Sequence, residues 1–204
     1  MSSLPPPAQV KWSPNVILVD ADYIDHVAFH LIVNFERILG RRVPPADLPA
    51  WLDYLALDGG LLPGENEIQV VFFHGKGVQK MQNFSPADFA AELDGVAFRD
   101  NLGEFMMQSV EVENLTSTMD LLKETVELIA QSESVKKVML VTDMDTDTSE
   151  LLKAVSKASE ADKEFIVFGL QHLAPTSSYK TEILGYSLMG ALGITGEELE
   201  HKGQ

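Results

Sequence analysis

The sequence predicts a single three-layer α/β domain with a mainly parallel, five-stranded sheet and helices on both faces. Three observations carry this reading. Short apolar runs, typical of strands buried on both faces, recur at residues 16–19, 68–73, 137–141 and 165–168. Segments with helical apolar spacing separate them. The connections are long enough to cross over the sheet and return, as parallel strands require.

The elements follow in order. The run Val16 to Val19 ends in Asp20-Ala-Asp22-Tyr-Ile-Asp25. Val27, Ala28, Leu31, Ile32, Phe35 and Leu39 then repeat at helical spacing until Gly40 stops the pattern. Leu48, Trp51, Leu52 and Leu55 mark a second amphipathic helix after Pro44-Pro45, and residues 58–64 form a loop. Residues 68–73, β-branched and aromatic, give the second strand. Ser85-Pro86 reads as a helix start, with Ser as cap and Pro in the first turn. Residues 103–112 give the third strand, and 117–131 a helix with Met119, Leu122, Val126 and Ile129 inward. The fourth strand, 137–141, runs into Asp143-Met-Asp145-Thr-Asp147, and Leu151, Leu152, Val155 and Ala158 mark the next helix. Residues 165–168 form the fifth strand and 181–192 a last helix. With no internal repeat and no linker, the expected organisation is a flexible segment over 1–13, one domain over 14–195, and a polar tail over 196–204.

Composition narrows the function. Cys is absent, which excludes disulfides, thiolate metal sites and a cysteine nucleophile, and suits a reducing, cytoplasmic setting. No apolar run reaches the roughly 18 to 20 residues of a membrane helix, so no membrane association is expected. With 15 Lys and Arg against 31 Asp and Glu, the net charge of −16 repels phosphate backbones. DNA is therefore not an expected partner. A protein partner is expected, with RNA as the second candidate. Arg37, Arg41 and Arg42 form the densest basic cluster, which a helix end explains through its dipole.

Two strand ends are acidic: Asp20 and Asp22 after the first, Asp143, Asp145 and Asp147 after the fourth. Ligands of open parallel sheets bind beyond the carboxyl ends of the strands. If the order is 3-2-1-4-5, strands one and four are neighbours and the clusters converge. Crowded carboxylates repel unless they are protonated or share a cation, and all-oxygen donors suit Mg²⁺ or Mn²⁺. The competing explanation is that Asp after a strand caps the next helix. Organic cofactors leave no signature: Gly75-Lys-Gly77 is too short for a phosphate loop. His26 and His30, four apart, have metal-ligand spacing but apolar neighbours, and His74 follows the second strand alone. Asp20-Ala-Asp22 also suits the opening of a haloacid-dehalogenase-like phosphatase or a receiver-like domain. Met106, Met107, Tyr186 and Met189 are candidates for an apolar patch or for core.

The segment Leu140-Val-Thr-Asp-Met-Asp-Thr-Asp-Thr-Ser-Glu-Leu-Leu152 resembles the NYN branch of the PIN-like nucleases. Val16-Ile-Leu-Val-Asp-Ala-Asp22 resembles that family's first strand with its leading acid, and Lys163-Glu-Phe-Ile-Val-Phe-Gly169 the family's next strand, which also ends near Gly. The resemblance implies the strand order 3-2-1-4-5 and a metal-dependent ribonuclease site. It implies Asp20, Asp120, Asp145 and Asp147 as catalytic acids, with Asp20, Asp22, Asp145 and Asp147 as Mg²⁺ or Mn²⁺ ligands. Glu111 competes with Asp120. Three positions depart from the family pattern: Tyr23 stands in place of Asn, Gln108-Ser-Val-Glu111 in place of Lys-Gly-Val-Asp, and Thr148 in place of Phe. The stretch over 46–64 and the ending Ile183-Leu-Gly-Tyr-Ser-Leu-Met-Gly-Ala-Leu192 also resemble an uncharacterised Bacteroidetes protein family. The expectation is a PIN-like domain degenerate in catalysis and acting as an interaction or regulatory module. The alternative is an active divalent-metal-dependent phosphodiesterase.

Overall fold

In the computed structural model, which describes residues 11–202, strand β1 (Asn15–Asp20) lies at the centre of the sheet. Its side chains alternate: Val16 and Leu18 enter one apolar layer, Ile17 and Val19 the other, all without solvent exposure. Helix α1 (Ala21–Leu39) follows at once and ends where Gly40, at φ +66°, donates its N–H to Glu36 O at 2.9 Å. A two-residue strand β2 (Ala46–Asp47) leads into α2 (Leu48–Asp58), capped by Asp47. Then come β3 (Asn66–Gly75), the short β4 (Phe84–Ser85), β5 (Ala97–Arg99) and β6 (Gly103–Val112). Helix α3 (Thr118–Ala130), β7 (Lys137–Val141), α4 (Ser149–Ser159) and β8 (Glu164–Gly169) complete the crossovers. The chain closes with β9 (Lys180–Ile183), α5 (Leu184–Ala191) and α6 (Gly196–Glu200).

The sheet is α/β and mainly parallel, but it has seven strands rather than five, in the order β5-β6-β3-β1-β7-β8-β9. The expected five-strand order 3-2-1-4-5 is thereby corrected: two edge strands extend the sheet, β5 antiparallel to β6 and β9 parallel to β8. Both are short and half-exposed, so neither carries the apolar run that marks a buried strand. A separate parallel pair joins β2 to β4. Helices α1, α2 and α5 cover one face, sharing a core with Ile17, Val70, Phe72 and Phe168; α3 and α4 cover the other with Leu18, Phe73, Leu140 and Phe165.

Three further expectations change. Ser85 caps no helix; a single π-helical turn at Phe89–Leu93 is capped by Asp88, which accepts from Ala90 N and Ala91 N. The expected last helix begins later, because residues 180–183 pair with β8 before the chain coils. The expected polar tail over 196–204 contains α6, where Glu198 forms an ion pair with Arg41. Residues 1–10 of the expected flexible segment lie outside the described residues. Trp12, within it, is buried beneath α3, and its carbonyl accepts from Ser134 Oγ at 2.8 Å.

Candidate functional site

Strands β1 and β7 are hydrogen-bonded neighbours in register, Val19 opposite Val141. The residues that follow them, Asp20 and the pair Thr142 and Asp143, therefore meet at the carboxyl edge of the sheet. Asp20 is held there by two demands. Its Oδ1 caps α1 by accepting from Tyr23 N at 3.1 Å, while its chain position at the end of β1 leaves it half-buried. Burial pushes its carboxyl up to about 6 against the capping N–H, and repulsion from Asp22 and Asp143 adds to the rise.

Tyr23, one turn into α1, projects its phenol among the same acids. Burial and then the charges of Asp143, Asp145 and Asp20 push the hydroxyl up to about 12, so it stays a neutral hydrogen-bond donor. The Thr142 hydroxyl is fully buried and close enough to favour the Asp20 carboxylate, yet its Oγ1 has no well-formed hydrogen bond among the described residues. A buried hydroxyl without a well-formed bond is costly, and this one lies against the Asp20 carboxylate. Asp20, Asp143, Asp145, Tyr23 and Thr142 thus make one cluster.

The other acids are spent elsewhere. Asp22 Oδ2 accepts from Gly75 N at 2.7 Å, tying α1 to the end of β3. The approach is so tight that a Cβ on Gly75 would lie 2.9 Å from that oxygen. Asp25 accepts from Gln82 N and Asn83 N. Glu111 Oε2 accepts from Gly77 N at 3.3 Å. Asp120 Oδ2 accepts from the Ser117 hydroxyl at 2.8 Å while Ser117 Oγ caps Asp120 N. Asp147 Oδ1 accepts from the Ser149 hydroxyl and from Ser149 N, and those bonds hold its carboxyl below the usual range. Three of the expected catalytic acids, Asp20, Asp120 and Asp147, therefore serve helix starts in their hydrogen bonding, and Asp20 and Asp145 remain in the cluster.

Asp143, Thr142 and Tyr23 were not among the expected site residues. Asp143 was legible as the first acid beyond a strand. The contributions of Thr142 and Tyr23 depend on burial and on neighbours across two strands, which no local pattern encodes. The basic side chains lie apart. Arg37, in the last turn of α1, is about 25 Å along the helix axis from Asp20. Arg41 is engaged by Glu198, and Lys76, nearer the edge, by Glu113 at 3.5 Å.

The fold and this edge define an α/β domain with a mainly parallel sheet and an acidic, partly buried cluster at its carboxyl side. Residues 9–199 match the family of unknown function DUF6621, and the chain belongs to that family. Comparison with the curated proteins and with the solved structures gave no match. No helix among the described residues is long and apolar enough to cross a membrane.

Proposed function

We propose that the chain is a PIN-like domain that has given up nuclease chemistry and serves as an interaction or regulatory module, with a partner protein as its ligand. One observation carries this. Of the four acids that the nuclease resemblance names, Asp20, Asp120 and Asp147 all commit a carboxylate oxygen to a helix start. The electrostatics agree. A phosphodiesterase needs cations beside its acids to hold a polyanion, whereas here the arginines gather about 25 Å away at the far end of α1. The test is cleavage of a labelled single-stranded RNA with Mn²⁺. No cleavage above background is expected, and turnover that vanishes in Asp20→Asn would overturn the reading.

A second reading, a divalent-metal-dependent phosphodiesterase acting on RNA, is favoured by the orphaned Thr142 hydroxyl beside Asp20. The oxygen donors suit Mg²⁺ or Mn²⁺, and Asp20 with Asp143 would hold the ion, water completing its shell. Asp22 and Asp147, also expected as ligands, accept from Gly75 N and Ser149, just as Asp20 accepts from Tyr23 N and Asp143 from Asp145 N, so each keeps a second carboxylate oxygen for an ion. Such an ion would supply charge for a developing alkoxide and a more acidic water. The chain's own part is to fix Asp20 by its cap and to keep Tyr23 protonated beside it. Calorimetric titration of Mn²⁺ separates the readings: saturable binding abolished by Asp20→Asn supports this one.

A further inference from the structure

We propose that His26 and His30 form a bidentate surface site for a late first-row divalent metal ion such as Ni²⁺ or Cu²⁺. The two residues lie four apart on the outward side of α1, where positions i and i+4 stand one above the other. Both side chains are exposed, and their Nε2 atoms converge to 3.0 Å with the rings edge to face, 4.3 Å between centroids. In the metal-free chain one imidazole donates a proton to the other. A metal in place of that shared proton needs only a small tilt of each ring.

The spacing is within reach of a chelated ion. With metal–nitrogen bonds of about 2.1 Å, two nitrogens stand about 3.4 Å apart at a tetrahedral angle and about 3.0 Å apart at a right angle. The observed 3.0 Å is the hydrogen bond of the metal-free pair and lies within reach of either angle, so the preference for Cu²⁺ or Ni²⁺ over Zn²⁺ rests on the stronger affinity of imidazole donors for Cu²⁺ and on the open positions left to water. Among the described residues no three His, Asp or Glu side chains gather to hold a metal, so the chain supplies two ligands and water completes the shell. The surroundings favour a cation. A shallow groove beside His26 is lined by Asp22 and Asp25, and the whole chain carries a charge of −16. The site is separate from the Asp20 cluster and does not depend on the function proposed above.

The experiment is calorimetric titration of NiCl₂ into the full chain in a non-chelating buffer, alongside His26→Ala, His30→Ala and, as a control at an exposed histidine elsewhere, His172→Ala. One saturable equivalent that depends on both histidines is expected for the parent chain and for His172→Ala. His26→Ala and His30→Ala should each bind at least about tenfold more weakly, since the second nitrogen of a chelate binds at a high effective concentration. Both histidines are solvent-exposed, so the variants should keep the parent's circular dichroism. A copper-loaded sample should show nitrogen couplings from two imidazoles by electron paramagnetic resonance, reduced to one in His26→Ala or His30→Ala. Absence of saturable Ni²⁺ binding to the parent, or unchanged binding in His26→Ala or His30→Ala, would overturn the site.

Discussion

Asp20 sits between two roles that conflict. As a helix cap it needs an acceptor oxygen, which a carboxylate, an amide or a hydroxyl supplies equally well. As a buried charge beside Asp22 and Asp143 it costs stability, which is why its folded value rises from 3.8 to about 6. A raised acid binds more protons folded than unfolded between those values, so its penalty is absent below about pH 4 and complete above about pH 6. The cost is on the order of 2–3 kcal/mol. Asp20→Asn keeps the cap and removes the charge, so at pH 7.5 its melting temperature should exceed the parent's by about 5 °C, with the gain gone near pH 4. Thermal scans across pH check this; an unchanged or lower melting temperature at pH 7.5 refutes it. The acids themselves were plain in the sequence. What could not be read was their allocation, because capping and cation binding draw on the same residue types: Asp147 and Asp120 were lost to Ser149 and Ser117, while Asp143 moved in.

Among elements, β1, β3, β7 and β8 were legible because strands buried on both faces carry near-continuous apolar runs. Strands β5 and β9 obey no such rule. Residues 181–183 satisfy a helical pattern as well as an extended one, and only pairing with β8 decides between them. The start of β6 is fixed by a constraint invisible to periodicity. Gly103, at φ +142°, lies so near Asn66 that a Cβ would fall 2.0 Å from the Asn66 carbonyl oxygen. Gly103→Ala should cost about 3 kcal/mol or more in denaturant unfolding, whereas Gly185→Ala, with open space at its Cβ, should be neutral or slightly stabilising. Equal effects would refute the account. On the α2–α5 contact, Trp51 Nε1 donates to Ser187 Oγ at 3.2 Å, both residues buried. Ser187→Ala strands the indole N–H and should cost about 1–3 kcal/mol, whereas the Trp51→Phe/Ser187→Ala double variant should recover part of the hydrogen-bond penalty.

For the whole molecule the net charge of −16 is a standing load on the compact state. Added salt screens it, so raising NaCl from low concentration to about 0.5 M should raise the melting temperature by a few degrees, against little change for a variant with acids neutralised. A fall over the same range would show that the ion pairs at Glu198, Glu104 and Glu164 outweigh the repulsion. The architecture itself, layers and crossovers, was legible because it follows from burial, which composition and period report directly. The two edges were not, yet they decide how copies of this chain treat one another in a crowded solution. At one margin β5 offers three residues, with Arg99 held between Glu65 at 2.6 Å and Glu104 at 3.5 Å. At the other β9 offers four, with Lys180 anchored on Glu164. Any incoming strand would have to displace those paired charges to gain a short ladder of backbone bonds, so fibril growth from the native state has no template long enough to propagate.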